Sequence, residues 1–262
     1  MDSISVCMIT KNEEKNLPRT LASVSWCDEI IVVDDFSTDR TVPVARKHGA
    51  KVIRRKFTSF SDQKNFAVKK ARSEWILMLD ADEAVDDTLA SSIKHVLSGD
   101  PDGKDGYVLC IRSSFLCRYI DNCGWKIQQR RLFRRGTVIY EGELHETMRH
   151  TGSSGVVSGA LLHHSYPDVD SVLRKTMMYS SLAARGKFKG RVRVTKWRLI
   201  KFSLIEPMKL FIRFYIERRG YRAGWEGFVL SAYMSMLEFF TQVRRLLLEM
   251  GRDADAGILP KR

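Results

Sequence analysis

The run Trp75-Ile76-Leu77-Met78-Leu79 contains no polar residue, and it stops abruptly at Asp80-Ala81-Asp82-Glu83. An extended chain sends alternate side chains to opposite faces, so a run of this kind has to be covered on both sides. Parallel sheets flanked by helices provide that cover, whereas antiparallel sheets commonly leave one face wet. Two earlier apolar-rich runs end in the same way: Ile4 to Ile9 gives way to Thr10-Lys11-Asn12-Glu13, and Glu29 to Val33 ends in Asp34-Asp35. Helical stretches separate them. Asn16-Leu17-Pro18 reads as a helix start with proline in the first turn. Ser37 or Thr38 is placed to cap a helix that ends at His48-Gly49, with Lys51-Val52-Ile53 as the next strand. Ser61 or Asp62 is placed to cap a helix through Phe66, Val68 and Ala71. Strands and helices in alternation predict an α/β fold with a mostly parallel central sheet. Ligands of such sheets bind beyond the carboxyl ends of the strands, so the three polar clusters are expected along one edge.

Turn residues concentrate from Asp100 to Asp105. After them Tyr107 to Ile111, Arg131 to Phe133 and Val138 to Tyr140 read as shorter strands, and the pattern is helical beyond Asp170. Three segments follow: a ligand-binding half (1–100), a second half (101–169) and a basic helical extension (170–262). The net charge of +13 calls for an anionic partner, and the excess sits late in the chain. Arg185, Lys187, Lys189, Arg191, Arg193, Lys196, Arg198 and Lys201 follow one another without an acid between them. The start of the sequence lacks a basic, apolar secretion signal, and the five scattered cysteines show no metal-binding or disulfide spacing, so a reducing, cytoplasmic location is expected. The charge alone would also suit a nucleic-acid-binding protein. Neither a zinc-finger spacing nor an RNA-binding aromatic signature supports that alternative, and no nucleic acid is expected.

Two aspartates one residue apart at a strand end can turn both carboxylates toward one hard cation, Mg²⁺ or Mn²⁺, which holds and neutralises a diphosphate. Asp80 and Asp82 are so placed. Alone the pattern is an acidic turn, and its context carries the inference.

Residues 4 to 98 resemble the nucleotide-sugar domain of glycosyltransferase family 2. Ser5 to Glu14 is similar to the family's opening strand and N-E-E loop, Ile31 to Thr41 to its V-D-D-x-S-x-D-x-T segment, and Gln63-Lys64-Asn65 to the helix facing the nucleotide. The resemblance implies the GT-A fold, a Rossmann-like arrangement. It further implies that Thr10, Asn12, Glu13 and Asp35, with Asp34 beside them, surround the base and ribose of the donor. Lys64 is then near the base or diphosphate, Asp80 near the ribose and the metal, and Asp82 is the direct metal ligand.

Inverting transfer needs a carboxylate to take the acceptor's proton. Tyr140 to Glu146 supplies the candidates, Glu146 first and Glu143 second, in a His-Glu context resembling a bacterial branch of the family. That branch also has a Trp followed by R-L-F-R, matched by Trp125 and Arg131 to Arg134, so Arg131 or Arg134 is expected on the diphosphate or an anionic acceptor. His163 and His164 match its second histidine position, where one could complete the metal shell.

In the extension, Phe211 to Tyr215 followed by the glycine-rich Gly220 to Gly227 is similar to an F-x-x-x-Y segment and the turn after it in the C-terminal part of lipopolysaccharide core β-glucosyltransferases. Met208, Phe211, Ile212, Tyr215 and Ile216 fall on one side of a helix beginning at Glu206-Pro207, and a second helix follows the turn at Gly220 to Gly224. Amphipathic helices rich in Arg, Lys and aromatics suit an anionic membrane surface, with packing on the catalytic domain or a homodimer contact as the alternative. The resemblance implies transfer of a hexose, glucose from UDP-glucose, to a lipid-linked oligosaccharide at the cytoplasmic face of the inner membrane. The implied acceptor is the inner-core heptose of lipopolysaccharide, with a polyprenyl-linked or capsular glycan as the alternative.

Overall fold

A computed structural model describes residues 2–99, 103–142, 147–190, 192 and 194–252. Two compact units result: Met1–Arg112 with Ile127–His164, and Ser113–Lys126 with Ser165–Arg262. This division cuts across the three segments read from the sequence, because the strands of residues 106–112 and 127–164 extend or flank the first sheet.

The first unit opens with β1 (Ile4–Thr10), α1 (Leu17–Ser23), β2 (Glu29–Asp34), α2 (Thr41–Lys47), β3 (Lys51–Arg54), α3 (Phe60–Lys70), β4 (Trp75–Asp80), β5 (Glu83–Val85) and α4 (Asp87–Leu97). It continues with β6 (Gly106–Phe115), then β8 (Lys126–Arg134), β9 (Val138–Glu141), β10 (Thr147–His150) and β11 (Ser154–Tyr166). The short β7 (Arg118–Tyr119) belongs to the second unit. The sheet order is β3-β2-β1-β4-β8-β6-β11-β5, and β9 pairs with β10 separately. The strands β3, β2, β1 and β4 are parallel, as expected. Beyond β4 the sheet becomes mixed: β8 runs antiparallel to β4, with Leu77 opposite Leu132, and β5 runs antiparallel to β11, with His163 opposite Glu83.

The strand that carries the acidic turn is buried on both faces. Leu77 and Leu79 pack with Leu17 and Leu21 of α1 and Leu89 and Ile93 of α4. Ile76 and Met78 pack with Ala67 of α3, with Ala71 just after it and with Phe133. Gly159 in β11 lets that strand approach α4: a Cβ there would lie 2.2 Å from the Leu89 backbone nitrogen, and its φ is +94°.

Both expected caps are displaced. α2 starts at Thr41 with no capping side chain, because Ser37 and Thr38 are used to join two loops. The cap of α3 is Ser59, which accepts from the Asp62 amide at 3.1 Å, while Ser61 lies inside the helix and donates to the Gly142 carbonyl at 2.6 Å.

The second unit contains α5 (Val169–Lys187), a helical stretch over 196–217 and α6 (Gly224–Glu249). Its core is Phe115, Ile120, Cys123, Tyr166, Val172, Phe214, Leu230 and Tyr233. Gly227 is required by close packing, since a Cβ would meet the Gly220 carbonyl oxygen at 1.9 Å.

Candidate active site

The ends of β1 and β2 are laced together by side chains. Asn12, at φ +57°, accepts from the Thr38 amide at 2.8 Å through its side-chain oxygen, and its own amide donates to the Ser37 hydroxyl at 2.9 Å. The Glu13 amide donates to Thr41 at 2.7 Å, and its carboxylate accepts from the Asn16 side chain at 2.8 Å. Asp34 is fully buried and accepts from the Ser37 amide at 3.1 Å and from its hydroxyl. The side chains of Asn12, Glu13 and Asp34 therefore shape the two loops at the ends of β1 and β2. Asp35 keeps the more open position: it pairs with Lys11 at 2.5 Å and accepts from the Phe57 amide at 2.9 Å. Burial works to raise the Asp35 pKa, yet the bonds from Lys11 and Phe57 prevail and lower it. Thr10 is buried, and its hydroxyl has no hydrogen-bond partner among the described residues. A buried orphan of that kind next to Asp35 is a ready contact for a polar ligand.

The acidic turn at the end of β4 is an ionic cluster. Asp80 lies 3.5 Å from the Lys64 ammonium and 2.9 Å from the Arg131 guanidinium, which also reaches Glu83 at 3.0 Å. Lys64, Arg131 and Glu83 are all buried, so Lys64 is no solvated helix residue. Burial favours a neutral Asp80, but Arg131 and Lys64 outweigh it and hold the carboxyl well below the usual carboxylate range. Glu83 goes the other way: burial pushes it up to about 7, with Arg131 opposing and the Asp80 charge adding to the rise. Glu83 was not singled out by sequence reasoning beyond its place in the turn, and the signal was there as a fourth residue directly after D-x-D.

Asp82 has different partners. Its carboxylate meets the His163 ring at 3.2 Å, and its carbonyl accepts from the His164 amide at 3.1 Å. Asp80 and Asp82 thus do not share one set of contacts, because Asp80 is taken up by two cations. Among the described residues no three His, Cys, Asp or Glu groups form a metal cluster. Burial lowers and the Asp82 carboxylate raises the His163 pKa, with a net rise. Burial, with Arg19 and His163 adding to it, lowers that of His164. The strand pairing therefore brings the His163 ring and the backbone amide of His164 to Asp82. Arg134 is also separated from the site: it lies opposite Trp75, at the start of β4, and pairs with Glu74. Of the two arginine candidates, Arg131 is the one at the acidic turn.

A cavity of about 280 Å³ opens beside the cluster, lined by Lys64, Gln129, Arg130, Arg131, Tyr140 and Met148. Asn65 fixes its Tyr140 wall, donating to the Tyr140 carbonyl at 2.8 Å and accepting from its amide at 2.9 Å. Glu143 and Glu146 lie outside the described residues. The strands on either side of them are in register, with Thr147 opposite Glu141.

The sequence profile described as glycosyl transferase family 2 matches residues 5–144, just over half of the chain. The chain belongs to glycosyltransferase family 2. Its α/β sheet, parallel over β3, β2, β1 and β4 and mixed beyond, is the GT-A fold of that family. An uncharacterized glycosyltransferase of Rickettsia typhi is 28% identical over 95% of this chain and 89% of its own length. The lipopolysaccharide core biosynthesis glycosyltransferase LpsC of Rhizobium meliloti is 26% identical over 92% of this chain and 91% of its own. Among solved structures, S. aureus TarS 1-349 in complex with UDP-GlcNAc aligns with a TM-score of 0.49 and 14% identity, covering 95% of this chain and 92% of that one. The family match ends within the stretch containing Glu143, so all three strand-end clusters of this family 2 glycosyltransferase fall inside it.

Proposed function

We propose that this glycosyltransferase is an inverting hexosyltransferase that moves glucose from UDP-glucose to a lipid-linked oligosaccharide, the inner-core heptose of lipopolysaccharide. The observation that carries the reading is the acidic turn after β4. There Asp82 stands beside His163, while Asp80 is balanced by Lys64 and Arg131. The acceptor assignment draws on the likeness to the lipopolysaccharide core enzyme.

The donor's base and ribose lie against Thr10 and Asp35, and the diphosphate lies toward the Lys64 and Arg131 side of the turn. Asp82, with His163 beside it, offers the one or two protein ligands that suit an ion sharing the rest of its shell with phosphate and water. Mg²⁺ or Mn²⁺ held there would neutralise charge on the diphosphate. The acceptor hydroxyl attacks the anomeric carbon from the face opposite the leaving group. The new bond to the acceptor oxygen forms as the bond to the diphosphate oxygen breaks, and the hydroxyl proton passes to Glu146, or to Glu143 in second place. Lys64 and Arg131 supply fixed positive charge where negative charge gathers on the leaving UDP. The enzyme works at the cytoplasmic face of the inner membrane, with its basic C-terminal helices against anionic lipid.

The test is a transfer assay with UDP-, GDP- and ADP-sugars, Mg²⁺ or Mn²⁺, and a heptose-terminated lipid acceptor. Transfer from UDP-glucose is expected for the wild type, with large losses in Asp82→Asn and Glu146→Gln. Equal rates in both variants would refute the site, and transfer from GDP- or ADP-sugars alone would refute the donor.

A further inference from the structure

The helical stretch over 196–217 turns an apolar stripe outward. Trp197, Ile200, Leu204, Met208, Ile212 and Ile216 are between 45% and 64% exposed, while Pro207 and Phe214 on the same stretch are buried. From Ile200 onward the spacing is four residues at every step. A four-residue step overshoots the 3.6-residue turn of an α-helix. Over the four steps from Ile200 to Ile216, that drift would carry the stripe nearly halfway round a regular helix. Here the α-helical pieces Lys196–Ile200 and Glu206–Ile212 alternate with π turns at Lys201–Ile205 and Arg213–Glu217. The i→i+5 bonds of a π turn take in more residues per turn and unwind the drift. The stripe consequently stays on the solvent side for the whole stretch.

Charge borders this stripe. Lys196, Lys201, Lys209, Arg213, Arg219 and Arg222 are exposed, against one exposed acid in 196–222, Glu217. Among the described residues no helix is long and apolar enough to cross a membrane. A narrow apolar line flanked by Lys and Arg, with Trp at one end, matches a helix lying in a bilayer interface. Lysine is depleted at protein interfaces, which disfavours a protein partner for the same face.

We infer that residues 197–216 form an in-plane docking face for an anionic lipid bilayer, with Trp197, Leu204, Met208, Ile212 and Ile216 entering the headgroup–acyl boundary. The assignment names the surface behind the membrane partner proposed above, and it rests on that reading for its purpose, delivery of a lipid-linked acceptor. The straightening of the stripe by π turns is what makes one continuous face available.

The experiment is flotation of the full chain with vesicles of equimolar phosphatidylethanolamine and phosphatidylglycerol, against vesicles of phosphatidylcholine alone. The wild type is expected to float with the anionic vesicles. The triple variant Leu204→Ser, Met208→Ser, Ile212→Ser should partition at least about tenfold less, with an unchanged melting temperature because all three side chains are exposed. Lys201→Gln with Arg213→Gln should weaken flotation chiefly at low salt. Undiminished flotation of the triple variant would overturn the proposal. So would a wild type that ignores vesicles but sediments as a dimer that the triple variant dissolves, since a second copy would then cover the face. UDP-glucose binding is measured separately without vesicles: its absence would count against the proposed activity and leave the flotation result standing.

Discussion

Removal of Arg131 should be the most damaging single change at the acidic turn, and its size can be worked out from the contacts. The guanidinium is 2.9 Å from Asp80 and 3.0 Å from Glu83, with its side chain 8% exposed and that of Glu83 2% exposed. Breaking a buried ion pair from one side costs about 3–5 kcal/mol, because the remaining charge is left uncompensated. Two features pull Arg131→Met toward the lower end: Asp80 is 37% exposed and keeps Lys64 at 3.5 Å, and Glu83 can take up a proton. A loss of about 3 kcal/mol corresponds to a fall in melting temperature of about 6–12 °C for a protein of this size. Calorimetry or circular-dichroism melts at neutral pH would measure it. Arg134→Met is the matched control, since its pair with Glu74 is only partly buried, at 31% and 52% side-chain exposure, and worth about 1 kcal/mol or less. Adding Glu83→Gln to Arg131→Met should restore part of the loss by removing the stranded charge. If Arg131→Met melts no lower than Arg134→Met, the ionic cluster does not hold the turn.

Three further outcomes follow from the same contacts. The Glu83 carboxyl is raised from 4.5 to about 7 by burial, with Arg131 opposing and Asp80 adding. A raised folded-state pKa gives stabilisation that is complete below the lower value and lost as pH rises through the higher one, so Glu83→Gln should flatten a decline in melting temperature across that window. Gly159→Ala should cost about 3 kcal/mol in a denaturant titration, from a strained φ and a Cβ driven onto the Leu89 backbone. Asn65→Ala removes both bonds to the Tyr140 backbone and should cost about 2 kcal/mol, at about 1 kcal/mol per bond, with faster amide exchange at Tyr140.

The parallel half of the sheet was legible because β1, β2 and β4 are dominated by apolar residues, with only Ser5 interrupting the run in β1 and only Glu29 preceding that in β2, which leaves little alternative to burial on two faces. Element starts were less legible. Ser37 and Thr38 have the chemistry of helix caps, yet Ser37 is held by Asp34 and by the Asn12 amide and Thr38 by the Asn12 side chain, and no local pattern distinguishes the two uses. β11 was not anticipated as a strand: nine of its thirteen residues are exposed or intermediate, and it contains two glycines. Without the pairing of His163 with Glu83, the sequence could not separate His163 from His164. Arg131 and Arg134 likewise differ only in register along β4, which places the first at the acidic turn and the second near the strand's start. Glu83 was visible as a residue but not as a buried one, since its burial depends on Arg131, 48 positions away.

The central claim is that the turn from Asp80 to Glu83 is a nucleotide-sugar site with a metal at Asp82. Calorimetric titration of UDP-glucose into the protein, with and without Mn²⁺, tests it most directly. Wild type should bind UDP-glucose more tightly with Mn²⁺, and Asp82→Asn should lose that gain by at least about tenfold, or about 1.4 kcal/mol. Binding by Asp82→Asn equal to wild type in the presence of Mn²⁺, or no binding of UDP-glucose by wild type under either condition, would contradict the claim.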